Sequence, residues 1–176
     1  LSLVRELLEA FEGHVGHLQF CGANCPFRGQ LNQLLESSTD KNWAFQCHFM
    51  GHLIDGIAGE RDPSASDERQ SRVLISQLGI ERELRYVYND LNNPEINELR
   101  RSGASVEQEE ADRFQIHTPE MIGCLGWEAD AELMAEAIRA YLQNPNYIKT
   151  VAPGVARRIR DFVNPNPRIR DIIQFN

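Results

Sequence analysis

Two histidines four residues apart stand in the run Cys47-His48-Phe49-Met50-Gly51-His52-Leu53-Ile54-Asp55. On a helix that spacing stacks both imidazoles on one face, about a turn apart. Zinc peptidases present two Nε2 ligands from one helix in this way. Their residue after the first histidine is ordinarily Glu, the general base that deprotonates the attacking water. Here it is Phe49. The same pair also reads as two histidines satisfied by backbone carbonyls inside a core helix.

A second pair of chemically capable residues lies downstream. Glu132 and Glu136 are four apart in a stretch otherwise rich in Leu133, Met134, Ala137, Ile138 and Tyr141. Carboxylates on a buried helix face are costly unless paired or metal-bound. A zinc site with two helical histidines needs a third protein ligand, and a helix-borne Glu is a standard donor. The competing reading pairs Glu132 or Glu136 with Arg139 or another cation.

Other groups carry weaker signals. His14, His17, Cys21 and Cys25 are all of ligand type, but their spacing matches no common zinc finger. They read as partly exposed histidines and free thiols. Cys47 precedes His48, yet neighbouring helix positions diverge by about 100°, so the pair cannot work as a nucleophile–base dyad. Cys47 therefore reads as core. His117, in an irregular stretch, reads as a surface histidine or one that approaches the site. Arg157, Arg158, Arg160, Arg168 and Arg170 make the C-terminal quarter the basic region of the chain. That region suits an acidic partner or a solvated helix face.

The elements that must hold these groups are mostly helices. Leu3, Leu7, Leu8, Phe11, Val15 and Leu18 have helical spacing over residues 3–20. Residues 1–40 are expected to form an N-terminal helical region. Asp40 caps a helix running to about Ala58, with Gly59 as its stop, so 41–59 carries both histidines. Its apolar residues surround the helix, as in a buried central element. Glu60 to Arg69 reads as a polar loop and 70–88 as one helix. Asn92-Asn93-Pro94 forms a turn, followed by a short helix over 95–101. The region from Arg113 to Trp127 is the least helical and permits short strands. Asp130 is expected to cap the Glu132 helix, 130–143, and 144–176 forms a C-terminal helical tail whose last helix, about 155–163, is opened by Pro153-Gly154. The fold class is mainly α, with a small sheet at most, in a single domain.

Composition bounds the rest. The chain has 176 residues, 18 Lys+Arg against 26 Asp+Glu and a net charge of −8, a poor balance for general nucleic-acid binding. No apolar run reaches the ~18 residues of a membrane span. Four cysteines are too few for a disulfide scaffold and favour a reducing compartment. The chain opens at Leu1, inside a helical pattern without a cap, and reads as part of a larger polypeptide.

The segments His48–Asp55 and Glu132–Arg139 together resemble the catalytic core of the lethal-factor-like zincins. These zinc metallopeptidase domains include anthrax lethal factor and domains of bacterial polymorphic toxins and large polyvalent mobile-element proteins. The run Gly51–Gly59 and the tail from Asn144 through Pro153 to Asn176 resemble the bacterial branch. The resemblance covers residues 43–60 and roughly 107–176 and implies a zincin-like fold. It implies one zinc ion held by His48, His52 and Glu132. Glu136 and Asp55 stand behind these ligands, Glu136 to bond a ligand histidine. It also implies a peptide or protein substrate, and a setting in the bacterial cytoplasm or, for an effector, in a target cell. Two family features are missing. Phe49 occupies the position of the catalytic Glu, and Leu125 the position of a Tyr that stabilises the oxyanion. The expected function is a zinc metallopeptidase-like domain with impaired catalysis, which an alternative carboxylate such as Glu128 would have to rescue. The alternatives are a non-enzymatic peptide-binding module on the same scaffold and a structural domain without metal.

Overall fold

The computed structural model describes residues 43–60, 73–105 and 113–176, and every regular element among them is helical. We number the α-helices α1 (Trp43–Ala58), α2 (Glu81–Asn92), α3 (Pro94–Arg101), α4 (Trp127–Gln143), α5 (Pro145–Val151) and α6 (Pro153–Val163). Short 3-10 turns cover Ile75–Gln77 and Pro119–Ile122. The mainly α class is thus borne out. The short strands allowed over 113–127 do not form: the segment is irregular around its 3-10 turn. The N-terminal helical region, with His14, His17, Cys21 and Cys25, lies outside the described residues, as do 61–69 of the polar loop and 70–72 of the helix read over 70–88.

α1 is the central helix its composition predicts. From Cys47 to Ala58 only His52 and Gly56 are more than marginally exposed. Its main partner is α4, buried at Ala129, Ala140 and Tyr141 and without a break from Glu132 to Ile138. α2 and α6 complete the packing with Leu84 and Val87, and with Val155, Ala156, Ile159 and Val163. The tail folds back onto this core. Ile169 and Phe175 are buried, the Phe175 ring lies 4.6 Å from that of Tyr141, and Asn164 bonds both the amide and the carbonyl of Phe175.

Two expectations are corrected. The helix read over 70–88 is broken at Leu78-Gly79, where Gly79 takes φ +69°, and α2 starts only at Glu81. An apolar pattern continued across the break because the 3-10 turn still buries Ile75. Asp130 does not cap the Glu132 helix, which begins three residues earlier at Trp127. Its carboxylate instead accepts a hydrogen bond from the Ile75 amide at 3.0 Å, joining α4 to the turn before α2. The carboxylate preference for a helix N-terminus is met here inside the first turn rather than at the cap.

Prolines start α3, α5 and α6, where a missing N–H costs nothing. Asn93 and Asn144 cap the first two through their side chains, and Glu83 accepts the Val155 amide at the start of α6. Asn93 is fully buried and does more than cap. Its Oδ1 accepts from Glu95 and Ile96, and its Nδ2 donates to the Gln115 carbonyl at 2.9 Å. Asn89 accepts the His117 amide at 2.8 Å, so the irregular segment leading to α4 is clipped at two points, to α2 and to the Asn93 junction that follows it. Asn93→Ala removes a cap and the donor that holds the Gln115 carbonyl. We expect a loss of about 2 kcal/mol in urea unfolding. A loss below about 0.5 kcal/mol would show that the clip is dispensable.

Candidate metal site

The four chemically capable residues of α1 and α4 meet. A helix turn separates His48 from His52, and the same interval separates Glu132 from Glu136 on the facing helix. The two imidazoles pack edge to face, with centroids 4.7 Å apart and planes at 87°, and their Nε2 atoms are 3.0 Å apart. Glu132 reaches both rings: Oε1 lies 3.2 Å from His52 Nε2, and Oε2 lies 3.4 Å from His48 Nε2. Glu136 Oε1 bonds the other nitrogen of His48, Nδ1.

Close helix approach makes this meeting feasible, and Gly51 permits it. It sits between the histidines, against the backbone of Ala135, which sits between the glutamates. A Cβ on Gly51 would lie 2.3 Å from the Ala135 carbonyl oxygen and 2.9 Å from its Cα. Any side chain here would hold the two ligand pairs apart.

Spacing and chemistry of the donor atoms suit a metal ion. His48, His52 and Glu132 could hold one, with ligand atoms all within 4.8 Å of one another. Metal–ligand bonds of ~2.0–2.1 Å at tetrahedral angles separate neighbouring donors by about 3.3 Å. The closest approaches here, 3.0, 3.2 and 3.4 Å, cluster around that value. With Glu136 on Nδ1, the His48 Nε2 lone pair is left to face the shared point, the usual arrangement of a ligand histidine.

Without a metal the cluster is held together by charge. Burial opposes the charged form of His48, but hydrogen bonds to Glu132 and Glu136 outweigh it and raise its pKa to about 9. Burial likewise opposes ionisation of Glu132, and the bonds from His48 and His52 overcome it, lowering its pKa to about 2. Glu136 is shifted down as well: burial pushes it up, and His48 and Arg139 more than reverse this.

The other expected residues fall into place around the cluster. Phe49 is buried, with its side chain in the hydrophobic core. Cys47 is core as expected, and burial raises its thiol to about 11 despite the nearby Arg139 charge. Asp55 is buried but lies outside the three-ligand group, lining a pocket with Ile54, Met134, Ile138 and Arg158 between α1, α4 and α6. His117 also lies outside the group, partly buried, with its backbone bonded to Asn89. Leu125 is 66% exposed, and Glu128 is exposed in the first turn of α4. Among the C-terminal arginines, Arg158 pairs with Glu60 and Arg170 with Asp171.

Tyr88 is the neighbour that sequence reasoning missed. It is buried on α2, and burial together with the charges of Glu132 and Glu136 pushes its phenol well above the usual range. Its position four residues after the inward-facing Leu84 was the available signal. Nothing in that spacing says that α2 meets the glutamates of α4. The chain matches no known family model, no characterised protein and no solved structure.

Proposed function

We propose that this is a zinc metallopeptidase-like domain whose hydrolytic machinery is impaired, from a bacterial toxin, effector or mobile-element protein. The observation that carries the reading is the convergence of His48 Nε2, His52 Nε2 and the Glu132 carboxylate at metal-ligand spacing, across two helices. The resemblance of both helices to those of the lethal-factor-like zincins supports zinc over other metals, as does the two-histidine, one-carboxylate donor set. Zinc bound here would polarise a peptide carbonyl and acidify water.

The protein's own residues then set the limits. His48 is oriented by Glu136 and His52 by its edge-to-face packing on His48, while Glu132 supplies the third donor and a negative charge. Phe49 can neither accept nor hold a proton, so the position of the general base is chemically silent. Leu125 offers no hydroxyl to a developing oxyanion. General-base assistance is worth ~10²–10⁴-fold and one oxyanion donor ~10²–10³-fold, so a chain lacking both hydrolyses peptides barely, if at all. With Phe49 buried in the hydrophobic core and unable to act as a base, the second reading is a scaffold that holds a peptide without cutting it.

Elemental analysis of protein purified without added metal tests the foundation. About one zinc per chain is expected, and loss of it in His48→Ala and Glu132→Ala; a metal-free wild type ends the proposal. Cleavage of a peptide library by Phe49→Glu, checked for folding by circular dichroism, tests the impairment. We expect a gain of ~10²–10⁴-fold over wild type, the worth of a positioned base. Chelator-sensitive turnover by the wild type would show instead that Phe49 is no obstacle.

A further inference from the structure

Two glutamates a turn apart both touch His48, yet they touch different nitrogens. Glu132 faces Nε2, and Glu136 bonds Nδ1. Chemically the two carboxylates are equivalent, so something must divide their roles. Arg139, three residues beyond Glu136, supplies the difference. Its Nε donates to Glu136 Oε2 at 2.9 Å, and its Nη2 donates to the same oxygen. Oε1 is thereby left for His48. The pair is nearly enclosed, with the Arg139 side chain 13% exposed and that of Glu136 5% exposed. The guanidinium therefore acts in a setting where solvent screens little.

We propose that Arg139 is the positioning residue of this centre. By anchoring Oε2 of Glu136 it keeps that carboxylate off the metal and on His48 Nδ1, and so makes Glu132 the carboxylate ligand. The inference rests on the metal-binding reading above and adds a residue that touches neither metal nor substrate. Electrostatics points the same way. The Arg139 guanidinium, paired with Glu136, offsets the negative charge of that carboxylate. Glu132 has no such partner in Arg139 and faces the shared donor point, 3.2 and 3.4 Å from the two Nε2 atoms. The planar guanidinium donates from Nε and Nη2 to one oxygen, a geometry that a lysine ammonium cannot copy.

Zinc affinity, measured by competition with a chromophoric chelator, tests this in a double-mutant cycle on the whole chain. Arg139→Met and Glu136→Gln are each expected to weaken zinc ~10–100-fold, the usual effect of losing an outer partner of a ligand. The double variant is expected to be no weaker than Glu136→Gln alone, because Arg139 acts only through Glu136. Arg139→Lys is expected to fall between wild type and Arg139→Met. A merely structural arginine would instead give additive losses, or lower the melting temperature with zinc affinity unchanged, and either result overturns the proposal. Should Arg139→Met fail to fold, Arg139→Lys and its combination with Glu136→Gln complete the same cycle. A wild type that binds no zinc overturns the metal reading itself and this inference with it. A wild type that binds zinc while Arg139→Met matches it overturns the positioning role alone.

Discussion

Gly51→Ala is expected to destabilise the protein and to collapse metal binding, although alanine is the better helix former. The two effects have opposite signs, and their sizes decide. Replacing Gly by Ala inside a helix gains ~1 kcal/mol in propensity. Against this, the new Cβ would stand 2.3 Å from the Ala135 carbonyl oxygen and 3.0 Å from its carbonyl carbon. These are backbone atoms, so no rotamer change relieves the clash. α1 and α4 must separate by roughly 1 Å, the gap between 2.3 Å and an ordinary contact at 3.4 Å. Overpacking of this kind costs ~1–3 kcal/mol, and here it also opens the most extensive helix pairing among the described residues. A net loss of up to about 2 kcal/mol follows.

The consequence for the site is larger. Functional constellations tolerate only ~0.5 Å of displacement, and the forced separation exceeds that on the axis joining the histidines to the glutamates. Zinc affinity should fall by at least the ~10–100-fold that loss of an outer partner produces. Ala135→Gly is expected not to restore it, because the atoms struck belong to the main chain. Calorimetry and chelator competition on Gly51→Ala and on the double variant check both claims. An alanine variant as stable as wild type with unchanged zinc affinity would show that the helices have room to spare.

The second large effect concerns pH. Chelator-treated protein is expected to be most stable between about 4.5 and 6.5 and to weaken as the pH rises toward 9. An unfolded histidine titrates near 6.5, whereas folded His48 is raised to about 9 by its bonds to Glu132 and Glu136, in spite of burial. A raised pKa means that the folded state holds its proton more tightly. The stabilisation is complete below 6.5 and is lost as the pH climbs through 9. Glu132 works in the opposite direction. Its pKa falls from an ordinary 4.5 to about 2, so its contribution is complete above 4.5 and disappears as the pH drops toward 2.

These are two views of one set of contacts and are not summed. The His48 shift corresponds to about 3 kcal/mol at most, a large part of the stability of a small domain. Urea unfolding at pH 6 and pH 9, for wild type and His48→Gln, measures it. The wild type should lose stability across that interval while the variant stays nearly level. Equal slopes for the two proteins would place the pH dependence elsewhere in the chain.

Helix chemistry was legible in the sequence wherever the pattern was local. α1 could be read from Phe49, Met50, Leu53, Ile54 and Ile57, and the starts of α3 and α6 from Pro94 and Pro153. The histidine and glutamate pairs were visible for the same reason, since i,i+4 spacing fixes a shared face whatever the helix packs against. The misread positions were those where a non-local partner decided. Asp130 has the composition of a cap, but its carboxylate bonds the amide of Ile75, 55 residues away. The break at Gly79 was hidden because residues on both sides of it are apolar and buried in one core.

The candidate site divides along the same line. By itself the sequence determined which ligand-type residues are present, that each pair shares a helix face, and that Phe49 rather than a carboxylate follows His48. It could not show that the two faces meet. That depends on Gly51 lying against the Ala135 backbone, a contact between positions 84 residues apart. Spacing alone could not separate Glu132 from Glu136, whose side chains and helix are the same; only the resemblance assigned them different roles. Only the packed structure brings Tyr88 beside the glutamates and both oxygens of Glu136 between His48 and Arg139. Local spacing orders atoms along one helix, while chemistry between helices is set by the distance at which their backbones can pack.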